Sequence, residues 1–399
     1  MAPESSLAEL ESVVANAVAL ISQLESTVAG LSSHQTANDA AGNSTEEAGN
    51  SSAKDNSSKN NDSINVLSLA HDSATLIKAH STKISLLIIN EPFTPTAITK
   101  VIRELVGEPV PVLASAAQLC RPERYTKVIQ QELAWRIARV LKELKELLSK
   151  IPKDGKALSD AKKNASVGAA AGKGSIAATA VLWSACDDII TFAKRGFAGN
   201  LIHNVEQLRE TLKDVMEELK EWGEETGEED EEDDEDNTET DGVDEVTQGL
   251  GSAQISTTQT TQDMLDDLMN SQRYIPRNDP DKIRERLESC LRRLRLTTLL
   301  YQATVKRRLK ILPQQPPDVG SSTPSRLDEV MNLLKRIPDR FGSLALAFYE
   351  LDTTEIDRLM DECFFDAFAV SELLNRRWDG EKDEFTDWAA KFQVEIKRA

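Results

Sequence analysis

Four histidines, four cysteines and the adjacent aspartates Asp187 and Asp188 are the side chains from which this 399-residue chain could build a reaction centre. A zinc protease needs HExxH on one helix and a hydrolase needs a Ser-His-Asp or Cys-His set; the scattered histidines assemble neither. His71 and His80 share a helix at a spacing that places them on different faces. Asp187 and Asp188 are neighbours, so a helix points them apart by about 100° and they cannot act as a convergent acid and base. Gly168 to Ser175, GAAAGKGS, has the flavour of a phosphate loop. Its spacing is one residue short, Gly174 stands where a magnesium-binding Ser or Thr belongs, and no strand precedes it, so it reads as a linker. No enzyme, cofactor, metal or small-molecule substrate is expected.

Cys120, Cys186, Cys290 and Cys363 lie too far apart for a CxxC or zinc knuckle and read as reduced, mostly buried thiols. The formal charge of −20 disfavours nucleic acid, because a phosphate backbone would meet repulsion over most of the surface. The N-terminus, MAPESSLAEL, lacks a basic region followed by an apolar core, and no membrane span is expected. These readings suit a cytosolic or nuclear protein.

Abundant Leu, Ala, Glu and Lys, few aromatics and the absence of strand-period segments predict an all-α protein. Residues 1–61 read as an N-terminal helix, loosely tethered by a disordered Asn/Ser-rich linker. Residues 62–222 carry long amphipathic segments suited to an antiparallel helix bundle, with a break at Arg195 to Gly199. Residues 223–256 form an acidic linker: from Glu224 to Glu245 there is no Lys or Arg, and such a block repels itself. Residues 257–399 read as a second, smaller bundle in which Pro338 interrupts or restarts a helix.

With no chemistry in view, recognition must come from helix faces. Leu201, Val205, Leu208, Leu212, Val215, Leu219 and Trp222 alternate steps of four and three and form one apolar seam. It reads either as bundle core or as a groove-filling partner surface. The helix from Lys282 to Lys310 gathers Arg292, Arg293, Arg295 and the KRRLK run around its apolar stripe. That face is solvated, or it attracts an acidic surface, either a partner or the run from Glu224 to Glu245. Arg-x-Leu and LxxLL matches within these helices use leucines that the core needs. Thr323, followed by Pro324, fits both a proline-directed phosphorylation site and a helix N-cap with Pro at the first helical position.

One set of segments resembles a known family. TLIKAHSTKISLLIINEPFTPTAI (Thr75 to Ile98), LKELKELL (Leu141 to Leu148) and VLWSACDDI (Val181 to Ile189), leading into VEQLRETLKDVMEEL (Val205 to Leu219), look like the cyclin-D-binding, GCIP-like group. Its most specific part is Trp183, Ala185, Cys186 and Asp187. IPDRFGSLALAFYELDTTEI (Ile337 to Ile356) resembles a later segment of the same family. The resemblance implies two helical bundles similar to the talin and vinculin rods. It also implies a non-catalytic regulator of the cell cycle that binds D-type cyclins or helix-loop-helix proteins and restrains cyclin-dependent kinase signalling. A talin-like scaffold binding cytoskeletal partners is the alternative. KRGFAGN departs from the Pro-containing joint usual after the Trp-x-Ala-Cys-Asp element, and the N-terminal helix is an addition.

Overall fold

The structure, a computed structural model, describes residues 4–33, 65–164, 174–224, 274–313, 315–318 and 320–398. These residues form helices and no strand. In chain order they are α1 (Glu4–Ser33), α2 (Val66–Ile89), α3 (Pro95–Gly107), α4 (Pro109–Leu119), α5 (Pro122–Tyr125), α6 (Lys127–Ser149), α7 (Asp160–Asn164) and α8 (Ser175–Glu224). After these come α9 (Ile283–Thr304) with a π-helical turn (Val305–Leu309), α10 (Thr323–Tyr349), α11 (Thr353–Leu373) and α12 (Glu384–Lys397). Two compact units arise. The first takes Met1–Asn204 and Lys306–Met331, the second Val205–Val305 and Asn332–Ala399, so α8 and α10 each contribute to both.

In the first unit α1 packs against α3, α4 and α6, and α2 against α3 and α4. Leu10, Ala17, Ile21 and Val28 of α1 are buried at the four-and-seven spacing of one helical face. Ion pairs Glu9–Arg103 (2.7 Å) and Glu25–Lys145 (2.6 Å) flank that seam. The expectation of a loosely tethered first helix is therefore corrected: its apolar stripe is part of the core.

The start of α6 shows how distant sequence completes local structure. A helix leaves its first four N–H groups without partners inside the helix. Here Thr126 Oγ1 accepts from the Ile129 N–H at 3.3 Å, and the Asp328 carboxylate, from α10, accepts from Lys127 (2.9 Å) and Val128 (3.3 Å). Burial pushes the Asp328 carboxyl above its ordinary range, with the three hydrogen bonds to Lys127 and Val128 pulling the other way.

The break expected at Arg195 to Gly199 occurs at Gly196, whose non-helical backbone divides α8 into two helical halves that meet at a kink. Gly196 has φ 71° and ψ −175°, a left-handed backbone that suits glycine. Buried Asn200 closes the gap, its Nδ2 donating to the carbonyls of Phe192 and Gly196, both at 2.8 Å.

In the second unit α9 packs against α11 and α12. Trp222, near the end of α8, meets Tyr349 and Phe348, with ring centroids 5.4 and 6.2 Å apart. The Arg284 guanidinium donates to the carbonyls of Gly223 (3.3 Å) and Ile275 (3.4 Å). It thereby joins the two described edges of the stretch 225–273. Pro338 does not interrupt α10, as it was expected to do. Proline has no N–H to give the carbonyl four residues back, and Leu334 would lose its donor. The buried Tyr301 hydroxyl replaces it, donating to the Leu334 carbonyl at 2.6 Å. Asp366, 1% exposed, is bound by Arg336 and Arg340, one turn apart on α10.

Other boundaries shift for simple reasons. Pro109 and Pro111, expected to break or kink the chain before Val112, occupy the first turn of α4, where missing N–H groups cost nothing. By length and composition, Glu4–Leu31 and Ser175–Glu224 are long and apolar enough to cross a membrane, where no apolar run of that length was expected, but core helices pass the same test. In α1 the bulky residues Leu10, Ile21 and Val28 pack internally, while Ala8, Ala15 and Ala19 are exposed. The expected Asn/Ser-rich linker, the phosphate-loop-like glycines Gly168 and Gly172, the acidic run after Glu224 and a helix expected at 263–271 lie outside the described residues.

Candidate functional site

The Trp183-x-Ala185-Cys186-Asp187 element lies on the first half of α8. Ala185 and Cys186 are buried, and burial pushes the Cys186 thiol up to about 12, so it stays protonated and inert. Asp187 and Asp188 do diverge as adjacent helical residues must. Asp187 takes the Lys78 ammonium from α2 at 2.6 and 2.7 Å, and Asp188 takes the Arg139 guanidinium from α6. Thr179, two turns earlier, donates to Ser85 of α2 at 3.0 Å. The positions Lys78–Asp187 and Ser85–Thr179 run in opposite directions along the two helices, which fixes α2 and α8 antiparallel. The motif is a brace, two acids reaching two flanking helices from one turn. Cys120, Cys290 and Cys363 are likewise buried free thiols, and burial raises each of them. No cluster of His, Cys, Asp and Glu suited to a metal occurs among the described residues.

Of the apolar seam, Leu201, Val205, Leu212, Leu219 and Trp222 are buried, while Leu208 and Val215 are half-buried. The positions that a partner helix would have to grip are mostly occupied by this chain's own core. The basic helix divides in a similar way. Arg292 and Arg295 are exposed, whereas Arg293 is 8% exposed, with its guanidinium 4.7 Å from the centroid of the Phe364 ring. Burial holds Arg293 below the ordinary guanidinium range, Arg292 adds to the effect and Asp361 opposes it. Thr323 is the first residue of α10 rather than the residue before it. Its N–H donates to Ser321 Oγ (3.2 Å), its Oγ1 accepts from the same hydroxyl (3.0 Å), and it is half-buried.

The side chains offered to solvent are ones that the periodicity argument passed over. Leu76 and Leu86 on α2 and Ile176 on α8 are large apolar residues with 45%, 51% and 46% exposure, and Trp135 on α6 reaches 56%. Each is out of phase with the buried stripe of its own helix. That is the signal that could have found them: an apolar residue on the face that should be polar. Leu86 follows Ser85, and Ile176 lies one turn before Thr179, so both flank the same interhelical hydrogen bond.

With this geometry described, the chain can be set beside known proteins. An uncharacterized protein of Schizosaccharomyces pombe is 29% identical over 137 residues, which is 34% of this chain and 38% of that protein. The chain therefore matches less than two-fifths of the length of this curated relative. Residues 70–225 match the sequence model of the family described as Grap2 and cyclin-D-interacting, N-terminal. That stretch begins in α2, contains the brace and the exposed leucines, and ends with α8. Residues 70–225 of this chain are an N-terminal domain of the Grap2 and cyclin-D-interacting family.

Proposed function

We propose that the protein is a non-catalytic, helix-faced binder of cell-cycle regulators, taking a D-type cyclin or a helix-loop-helix protein as its partner and restraining cyclin-dependent kinase signalling. It would act in cytoplasm and nucleus, through helical bundles of the talin and vinculin-rod kind. The observation that carries the reading is the family match over residues 70–225, whose description names cyclin D. The surface that supports it is the solvent-facing side of α2 and α8. Within the matched stretch, Asp187 of the motif is held by Lys78, Ala185 and Cys186 are buried, and Leu76, Leu86 and Ile176 remain as apolar anchors. Exposed aliphatic side chains on packed helices suit a partner helix or groove better than a small molecule, because they offer area and few convergent polar groups.

The test is binding of purified D-type cyclin to the full chain by calorimetry. Leu86→Glu and Ile176→Glu should weaken it at least about tenfold, a loss of about 1.4 kcal/mol, with circular dichroism unchanged. No measurable binding of the unaltered chain to either a cyclin or a helix-loop-helix protein would remove the proposal.

A further inference from the structure

A groove of about 500 Å³ opens between α9 and α11, lined by Lys282, Glu285, Arg286, Ser289 and Arg293 from one helix and its start, and by Asp357, Met360 and Asp361 from the other. The charges can be accounted for one at a time. Arg286 holds Asp357 through two hydrogen bonds, 2.8 and 3.1 Å. Lys282 and Glu285 pair at 3.3 Å on the exposed rim. Two charges remain. Asp361 is exposed at the rim, and among the described residues neither Asp361 nor the Arg293 guanidinium makes a hydrogen bond or ion pair.

Arg293 is the unusual one. It is 8% exposed, it stacks on Phe364, and its Nε is buried without an acceptor. A buried guanidinium normally satisfies its five donors with carboxylates or carbonyls, because desolvated N–H groups left unpaired are costly. The guanidinium is held over the Phe364 ring, 4.7 Å from its centroid, which reduces the ordering needed when an acceptor arrives. We propose that this groove is a recognition site for a carboxylate side chain of an acidic peptide, with Arg293 as the group that receives it. Ser289 adds a hydroxyl and Met360 an apolar wall beside the fork. Asp361 sets the selectivity. The charge of Asp361 acts at Arg293 and repels any anion seated there, a doubly charged phosphate more than a single carboxylate. The site is separate from the α2 and α8 surface and does not depend on the cyclin reading.

The experiment uses the full chain and a short fluorescein-labelled glutamate-rich peptide, read by anisotropy at physiological salt, with the glutamine version as uncharged control. A chain of net charge −20 repels such a peptide in general, so binding that depends on Arg293 is specific. Arg293→Met should reduce affinity at least about tenfold and Asp361→Asn should raise it several-fold. A second chain has the acids of 224–245 replaced by Gln and Asn. If both chains bind the peptide through Arg293, the site takes an external acidic peptide. If only the neutralised chain does, the protein's own acidic run is the source of the carboxylate. Either result upholds the site. Absence of binding to both chains, or affinity unchanged in a folded Arg293→Met protein, overturns it. Should Arg293→Met fail to fold, an unchanged affinity in Asp361→Asn overturns it equally.

Discussion

Removing one hydroxyl, in Tyr301→Phe, tests whether that side chain is what allows a proline to sit inside α10. Tyr301 Oη lies 2.6 Å from the Leu334 carbonyl, the acceptor that Pro338 cannot serve. Burial, with Asp366 and Asp339 adding to it, pushes the phenol well above its ordinary range, so it remains a donor throughout a denaturation experiment. Phe keeps the ring and its packing, which confines the loss to a buried carbonyl left without a donor, about 1–3 kcal/mol. For a unit of this size about 2 kcal/mol corresponds to a fall in Tm of roughly 4–8 °C. The decisive comparison is in the background of Pro338→Ala, where the alanine N–H can bond Leu334 within the helix. There Tyr301→Phe should cost about 0.5 kcal/mol or less, giving a coupling of at least about 0.5 kcal/mol in a double-mutant cycle. Urea denaturation of the four proteins measures it. Equal costs in the two backgrounds would refute the reasoning, whatever the size of the single effect.

The other two expectations concern the first unit. Asn200→Ala takes the donor from the Phe192 and Gly196 carbonyls at the α8 kink and should cost about 2–3 kcal/mol in a thermal melt, and Asn200→Asp should cost more because it sets carboxylate oxygens against carbonyls. A loss below about 0.5 kcal/mol would mean that the kink is held by packing alone. Asp328→Asn should destabilise at neutral pH, because an amide offers one acceptor oxygen to the Lys127 and Val128 N–H groups. The gap should widen on acidification: a carboxyl raised in the folded state binds its proton more readily there, so wild-type stability from this group grows as pH falls through the raised value toward ~4, and the variant lacks that titration. Urea denaturation at neutral and acidic pH decides the sign, and a narrowing gap would show that hydrogen bonding outweighs burial.

Much was legible in the residues themselves, and the reasons are local. Helical periodicity depends on spacing along the chain, so an all-α fold and the buried phase of α2, α6 and α8 could be read directly, as could the divergence of Asp187 and Asp188. The composition of the Trp183 to Asp187 element carried the family without any contact being known. What periodicity could not decide was which stripes are shared between helices. Leu201 to Trp222 reads as core or as partner surface, and only packing shows most of it buried. Arg292, Arg293 and Arg295 look alike in sequence. Helix α11 stacks Phe364 against one of them and leaves the other two in water. The partners of the Leu334 carbonyl, which Pro338 cannot serve, and of the α6 N-terminus lie 33 and 201 residues away along the chain, at Tyr301 and Asp328. Local pattern determines which elements form. Which backbone groups those elements leave unsatisfied, and which distant side chain then supplies them, is settled only when the chain folds back on itself.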